Sequence, residues 1–135
     1  RTPDLSQKAS LVSAHAIVRD LLLDMQREMA EKHNVIMDGR DIGTVVLPQA
    51  RVKIFLSADV EVRARRRTAE LEQRGTPKPY AQVLEEMKER DWADSHRETA
   101  PLRPAEDAVV VDTTNMDFQQ SKEAILQVIG RQLQL

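Results

Sequence analysis

Val35-Ile36-Met37 runs straight into Asp38-Gly39-Arg40-Asp41. An apolar run that stops at a polar turn recurs twice further along the chain. Val52-Lys53-Ile54-Phe55-Leu56 lies between Pro48 and Ser57-Ala58-Asp59, and Ala108-Val109-Val110-Val111 leads into Asp112-Thr113-Thr114. Such nearly continuous apolar runs suit strands covered on both faces, as in a parallel sheet; a strand with one wet face would alternate.

The segments between these runs have helical spacing. From Ala16 to Ala30, Val18, Leu22, Met25 and Met29 recur at intervals of four, three and four, which is one helix face. Asp59 is placed to cap a helix reaching about Arg74, with Gly75 as its stop. Pro79 is placed to open another through about Arg97, with Pro101 beyond its end. A last helix is expected from about Ser121 to Leu135, with Ile125, Val128, Ile129 and Leu133 on one face. Strand and helix alternate, so the expected class is α/β with right-handed crossovers. Arg74-Gly75-Thr76-Pro77-Lys78-Pro79 is the clearest break between charged helices and reads as a lid turn.

Composition narrows the function. The 135 residues are enough for one core, and 41% hydrophobic with 31% charged residues is the profile of a globular protein. The net charge of −2 and the 3% aromatic content argue against a nucleic-acid partner, which calls for a basic field and stacking rings. The absence of cysteine removes disulfides and thiolate metal sites. No apolar run approaches the roughly 20 residues that span a bilayer, so no membrane partner and a cytoplasmic location are expected.

Three polar constellations carry the chemistry. Asp38-Gly39-Arg40-Asp41 follows a strand-like run, and ligands of open α/β sheets bind outside the carboxyl ends of strands. The glycine permits close backbone approach, Arg40 offers a fork of donors to a phosphate, and the flanking carboxylates of Asp38 and Asp41 suit a metal-bound water or a sugar or base donor. The bland alternative is a solvated turn. On the helix after Pro79, the face of Val83 and Met87 continues as Arg90, Asp94 and Arg97, an apolar stripe turning polar where it leaves the core. The alternative there is a surface ion pair between Arg90 and Asp94. Arg63, Arg65, Arg66 and Arg67 form a basic cluster, either a solvated face or a mobile clamp on polyphosphate. They do not share one face, so only some can reach a single ligand. The three histidines lack metal-site spacing, and Trp92 reads as a helix anchor.

Taken together, these blocks resemble bacterial cytidylate kinases. The matching stretches are Ile36 to Pro48, Val52 to Leu56, Glu61 to Arg67, Lys88 to Asp91, Ala100 to Leu102 and Val111 to Thr114. The resemblance implies a P-loop nucleoside monophosphate kinase acting on CMP and dCMP with ATP and Mg²⁺. It implies that Arg40 holds the acceptor phosphate and that Ser10, Arg19 and Asp41 read the cytosine. Arg90, Asp94 and Arg97 would lie near the sugar and phosphate. Arg63, Arg66 and Arg67 would bring charge over the transferring phosphoryl group, and Asp38 would sit near Mg²⁺ through water. Residues 1–20 would belong to the acceptor-binding region and 21–135 to the C-terminal part of the core, with a lid over about 63–97. The whole protein is expected to be a monomer.

One feature of such kinases is missing. Gly39, Gly43, Gly75 and Gly130 are the only glycines, and none lies in the Gly-x-x-x-x-Gly-Lys-Ser/Thr loop that cradles phosphates. The expectation is therefore a partial P-loop kinase fold without its first strand and P-loop. Such a chain would be inactive alone and able to associate with a second copy through an incomplete sheet. A non-catalytic nucleotide-binding or assembly module that keeps the CMP-side residues is the other reading.

Overall fold

The structure, a computed structural model, describes residue 12, residues 16–98 and residues 100–134. It forms two compact units, Arg1–Gly39 and Arg40–Leu135.

In the first unit, helix α1 (Ala16–Lys32) contains no glycine or proline and is rich in Leu, Met, Ala, Arg and Glu, which favour helix. It runs two residues past the expected end at Ala30, where Lys32 pairs with Glu28 one turn back, at 2.5 Å. The His33 amide then closes the last turn on the Met29 carbonyl at 3.0 Å. Val18 is half-buried, whereas Leu22, Met25 and Met29 of the same stripe are exposed. Residues 35–37 do not enter a sheet, contrary to expectation, and Ile36 is 98% exposed. A strand exists only through a neighbour that takes its backbone donors and acceptors, and a three-residue apolar run cannot supply one itself.

The second unit contains the sheet. β1 (Ile54–Ser57) and β2 (Val109–Asp112) run parallel, with Ile54 opposite Val109 and Ser57 opposite Asp112. Lys53 ties the approaches to the two strands together. Its ammonium donates to the Pro48 carbonyl at 2.5 Å and to both Asp107 carboxylate oxygens at 2.8 and 2.7 Å. The α/β class with a parallel sheet and flanking helices is what this unit shows.

The crossover between the strands is two helices, α2 (Val60–Gln73) and α3 (Tyr80–His96). Asp59 stands at the α2 N-cap as expected, but its side chain does not cap; its amide donates to Thr114 Oγ1 at 3.0 Å. At the other end Gly75 takes φ +72°, and the Thr76 and Gly75 amides reach back to the Leu71 and Glu72 carbonyls, both at 3.0 Å. This paired closure needs a left-handed residue, which glycine adopts without a Cβ penalty. Ala64, Leu71 and Val83 are buried between the two helices, flanked by Leu84 and Met87.

Helix α4 (Phe118–Leu133) lies against β2 and begins three residues before the expected start. Asp117 accepts from the Gln120 amide at 2.8 Å while the Gln120 side chain accepts from the Asp117 amide at 2.9 Å. This reciprocal box sets the true start. Trp92 does not anchor α3 against a neighbour, as a helix anchor would. Its ring stacks on His96 at 4.6 Å and stays 66% exposed. Among the described residues no helix is long and apolar enough to cross a membrane.

Candidate functional site

Arg40 begins the second unit and leads into a wide turn over Ile42–Val46. The Asp41 carbonyl accepts from the Val45 and Val46 amides at 2.9 and 3.2 Å, and the Leu47 amide reaches Ile42 at 2.7 Å. Two i→i+5 bonds widen this turn beyond an ordinary helix, a geometry that occurs mostly as single turns and frequently at functional sites. The Asp41 side chain does not cap it.

The turn delivers Arg40 to α3, where its Nε donates to Asp94 Oδ2. Asp94 is the better buried partner, with 18% of its side chain exposed against 36% for Arg40. Arg90 Nε approaches the same oxygen at 3.9 Å from one turn earlier on α3. Partial withdrawal from water, then the neighbouring Arg40 charge, hold the Arg90 guanidinium below its usual pKa, although most of its side chain faces solvent. Arg97 follows the end of α3, and its Nε donates to the Ala100 carbonyl at 2.6 Å. Its Nη2 is buried and has no hydrogen-bond partner among the described residues. Ala100 has φ +50°, a left-handed conformation unusual for a residue with a Cβ, and the Leu102 amide returns to the Asp94 carbonyl at 2.8 Å.

Arg40, Arg90 and Asp94 therefore meet, with Arg97 on the segment that folds back onto Asp94. Two guanidinium groups share one carboxylate, and a third carries an unsatisfied buried donor. Such an arrangement suits an anion, because an orphaned buried donor is costly until something accepts from it.

The arginines of α2 point three ways. Arg63 donates from Nε to the Ala58 carbonyl at 2.8 Å and from both terminal nitrogens to Asp91, at 3.1 and 2.5 Å. Arg66 reaches the Thr113 hydroxyl and carbonyl at 3.2 and 2.6 Å and the Met116 carbonyl at 2.8 Å. Arg67 pairs locally with Glu70 at 2.6 Å, which holds the Glu70 carboxyl below its usual range. Arg65 is exposed. Asp91 and Thr113 could not be read as partners from local spacing, since these contacts join residues 28 and 47 positions apart. Thr113 is a buried polar residue, and its hydroxyl also donates to the Ser57 carbonyl at 3.0 Å.

In the first unit, Arg19 is half-buried on α1 and Asp38 is exposed after it. Ser10 lies outside the described residues.

The family model described as cytidylate kinase matches residues 1–131. The chain belongs to the cytidylate kinase family. A cytidylate kinase of Caldanaerobacter subterraneus subsp. tengcongensis is 50% identical over 97% of the chain, and one from Carboxydothermus hydrogenoformans is 49% identical over the same share. One from Lactobacillus johnsonii is 45% identical, again over 97%. The chain spans 58%, 59% and 57% of the length of those three relatives.

Cytidylate kinase family membership raises the question of Mg²⁺. Among the described residues no three His, Asp or Glu side chains converge as metal ligands. Among those residues Asp38 is exposed and belongs to no such group.

Proposed function

We propose that the chain carries the acceptor side of an ATP-dependent kinase that phosphorylates CMP and dCMP. The observation that carries this reading is the meeting of Arg40, Arg90 and Asp94 beside the unsatisfied Arg97. Phosphoryl transfer asks little covalent work of a protein, mainly alignment and positive charge around the phosphate oxygens. Planar guanidinium forks meet a phosphate better than ammonium groups do. Asp94 is the single carboxylate in the cluster and supplies an acceptor for a sugar hydroxyl. Asp41, with Ser10 and Arg19, would read cytosine: an acceptor facing the exocyclic amine disfavours uracil, whose carbonyl would leave both groups unpaired.

The reading extends to the remaining parts of the machinery. ATP is the donor with Mg²⁺, Arg67, whose ion-pair partner among the described residues is the nearby Glu70, is the lid cation, and the setting is cytoplasmic. The fold is a partial P-loop kinase fold. Residues 1–20 are assigned to the acceptor-binding region, a boundary that falls within α1, and 21–135 to the core. The sequence contains no phosphate-cradling glycine loop, so the chain alone is expected to bind CMP without transferring phosphate. That same observation favours the second reading, a nucleotide-binding module without catalysis.

Calorimetric titration with CMP, UMP and inorganic phosphate, beside a phosphotransfer assay with ATP, tests the proposal. CMP binding that phosphate displaces weakly, and that UMP matches poorly, supports the acceptor role. Equal binding of all three reduces the cluster to a general anion site. Phosphate transfer by the chain alone contradicts its expected inactivity.

A further inference from the structure

We propose that Arg63 is a positioning residue: through Asp91 it pins the half of α3 that carries Arg90 and Asp94. This inference rests on the acceptor-site reading of that half-helix and gives Arg63 a task other than touching the transferring phosphoryl group.

The packing of α3 is uneven. Its buried apolar contact is Val83, joined by half-buried Leu84 and Met87, all in its first eight residues. Over residues 88–96 no side chain is buried; Asp91 and Asp94 are half-buried and the others exposed. Hydrophobic burial therefore fixes the start of α3 and leaves its functional end to polar contacts. Those contacts are Arg40 on Asp94, the Leu102 amide on the Asp94 carbonyl at 2.8 Å, and the two-pronged Arg63–Asp91 pair.

Arg63 is well built for the task. It sits in the first turn of α2, and its Nε is anchored on the Ala58 carbonyl at 2.8 Å, just past the end of β1. Three of its donors are thereby fixed between the sheet and α3, and a bidentate fork resists rotation as a single contact does not. The ligand itself makes this pair matter more. A nucleotide that engages Arg40 and Asp94 competes with their mutual contact, and Arg63–Asp91 then remains the side-chain fastening of residues 88–96.

The test compares Arg63→Gln, Asp91→Asn, the double variant and the charge swap Arg63→Asp/Asp91→Arg in the full chain. Amide hydrogen exchange across residues 80–96 and CMP titration are the readouts. The pin predicts at least tenfold faster exchange over 88–96 in either single variant, with 80–87 unchanged. The double variant should be no worse than the singles, and the swap should recover part of the protection. CMP affinity should fall about tenfold in both singles and recover in step with the exchange in the swap. Should the swap fail to fold, Arg63→Lys, which keeps the charge but not the fork, should give intermediate protection.

Unchanged exchange in Asp91→Asn, or losses that simply multiply in the double variant, overturns the pin. An Arg63→Gln chain that loses CMP binding while Asp91→Asn retains it points to direct contact and likewise overturns it. If the unaltered chain does not bind CMP, the acceptor reading fails by itself, and the exchange data still decide the pin.

Discussion

Arg40 and Asp94, 54 residues apart, are joined by a hydrogen bond from the guanidinium Nε to the carboxylate, with Arg90 Nε at 3.9 Å from the same oxygen. The contact draws a wide turn at the start of the second unit to the far end of α3. It also fills the carboxylate that the proposed substrate would use. Binding therefore exchanges one partner for another and does not fill an empty slot, which keeps the arginine oriented while it waits.

Asp94→Asn removes the negative charge between two guanidinium groups. The half-buried pair is lost and like charges face each other, so unfolding free energy should drop by about 1–2 kcal/mol. Inorganic phosphate should bind more tightly, because the internal competitor is gone, while CMP loses a sugar acceptor. Urea denaturation with parallel phosphate and CMP titrations checks all three directions.

Arg97→Met separates affinity from stability. The native side chain makes one hydrogen bond, to Ala100, and carries one buried donor with no partner among the described residues. Those contributions oppose each other, so the variant should fold within roughly 0.5 kcal/mol of the native chain. CMP affinity should nevertheless fall at least tenfold. A large stability loss with intact CMP binding would show that the donor serves the fold.

Much of this architecture was legible, for reasons that differ by element. α2 and α3 were readable because Gly75 and Pro79 punctuate the chain by local chemistry. β1 and β2 were readable because each is an apolar run ending in a polar turn, with errors of one or two residues at the boundaries. Residues 35–37 carry the same signal and form no strand, since pairing depends on a neighbour and not on the run itself. The polar stripe Arg90, Asp94, Arg97 was visible because helical spacing is local. Its partner Arg40 was marked as functional, but their contact was not visible. Asp91 had no legible role, since nothing in the sequence links position 91 to position 63. Trp92 misled because a lone tryptophan is usually buried, whereas here it stacks on His96 at the surface.

Gly75→Ala isolates a backbone effect. Apart from its two chain neighbours, no heavy atom of the described residues lies within 4 Å of the position a Cβ would take, so crowding contributes nothing. The left-handed φ of +72° remains, and an L-residue there costs about 1 kcal/mol. The variant should lower stability by that amount, and Gly75→Asn by less, with CMP affinity unchanged. Thermal and urea unfolding beside a CMP titration check the separation.

The exposed sheet residues predict association. Leu56 and Val110, at 56% and 57% exposure, present apolar surface on a two-stranded sheet whose outer edges have no strand beside them among the described residues. Edges of this kind invite pairing with another chain. Sedimentation of the chain should show a concentration-dependent shift to a dimer or larger species. Leu56→Lys should suppress that shift, since a charge on an exposed strand opposes edge pairing.

Acid should weaken the second unit through the Lys53–Asp107 pair. The Lys53 ammonium holds the Asp107 carboxyl below its ordinary value of 3.8, and the Thr114 hydroxyl and amide do the same for Asp112. A carboxyl with a depressed folded-state pKa binds protons more readily once unfolded. Its contribution is therefore present above the unfolded value and is lost as pH falls through the folded one. Stability should be flat from pH 7 to about 5 and then decline below about 4. Lys53→Met abolishes the cause of the Asp107 shift, so the decline should become shallower, from a lower starting stability because the tie to the Pro48 carbonyl is also lost. Urea midpoints measured from pH 7 to pH 2.5 on both chains decide the matter. An equally steep decline in the variant would assign acid sensitivity to the other shifted carboxyls, Glu70, Glu86 and Asp112.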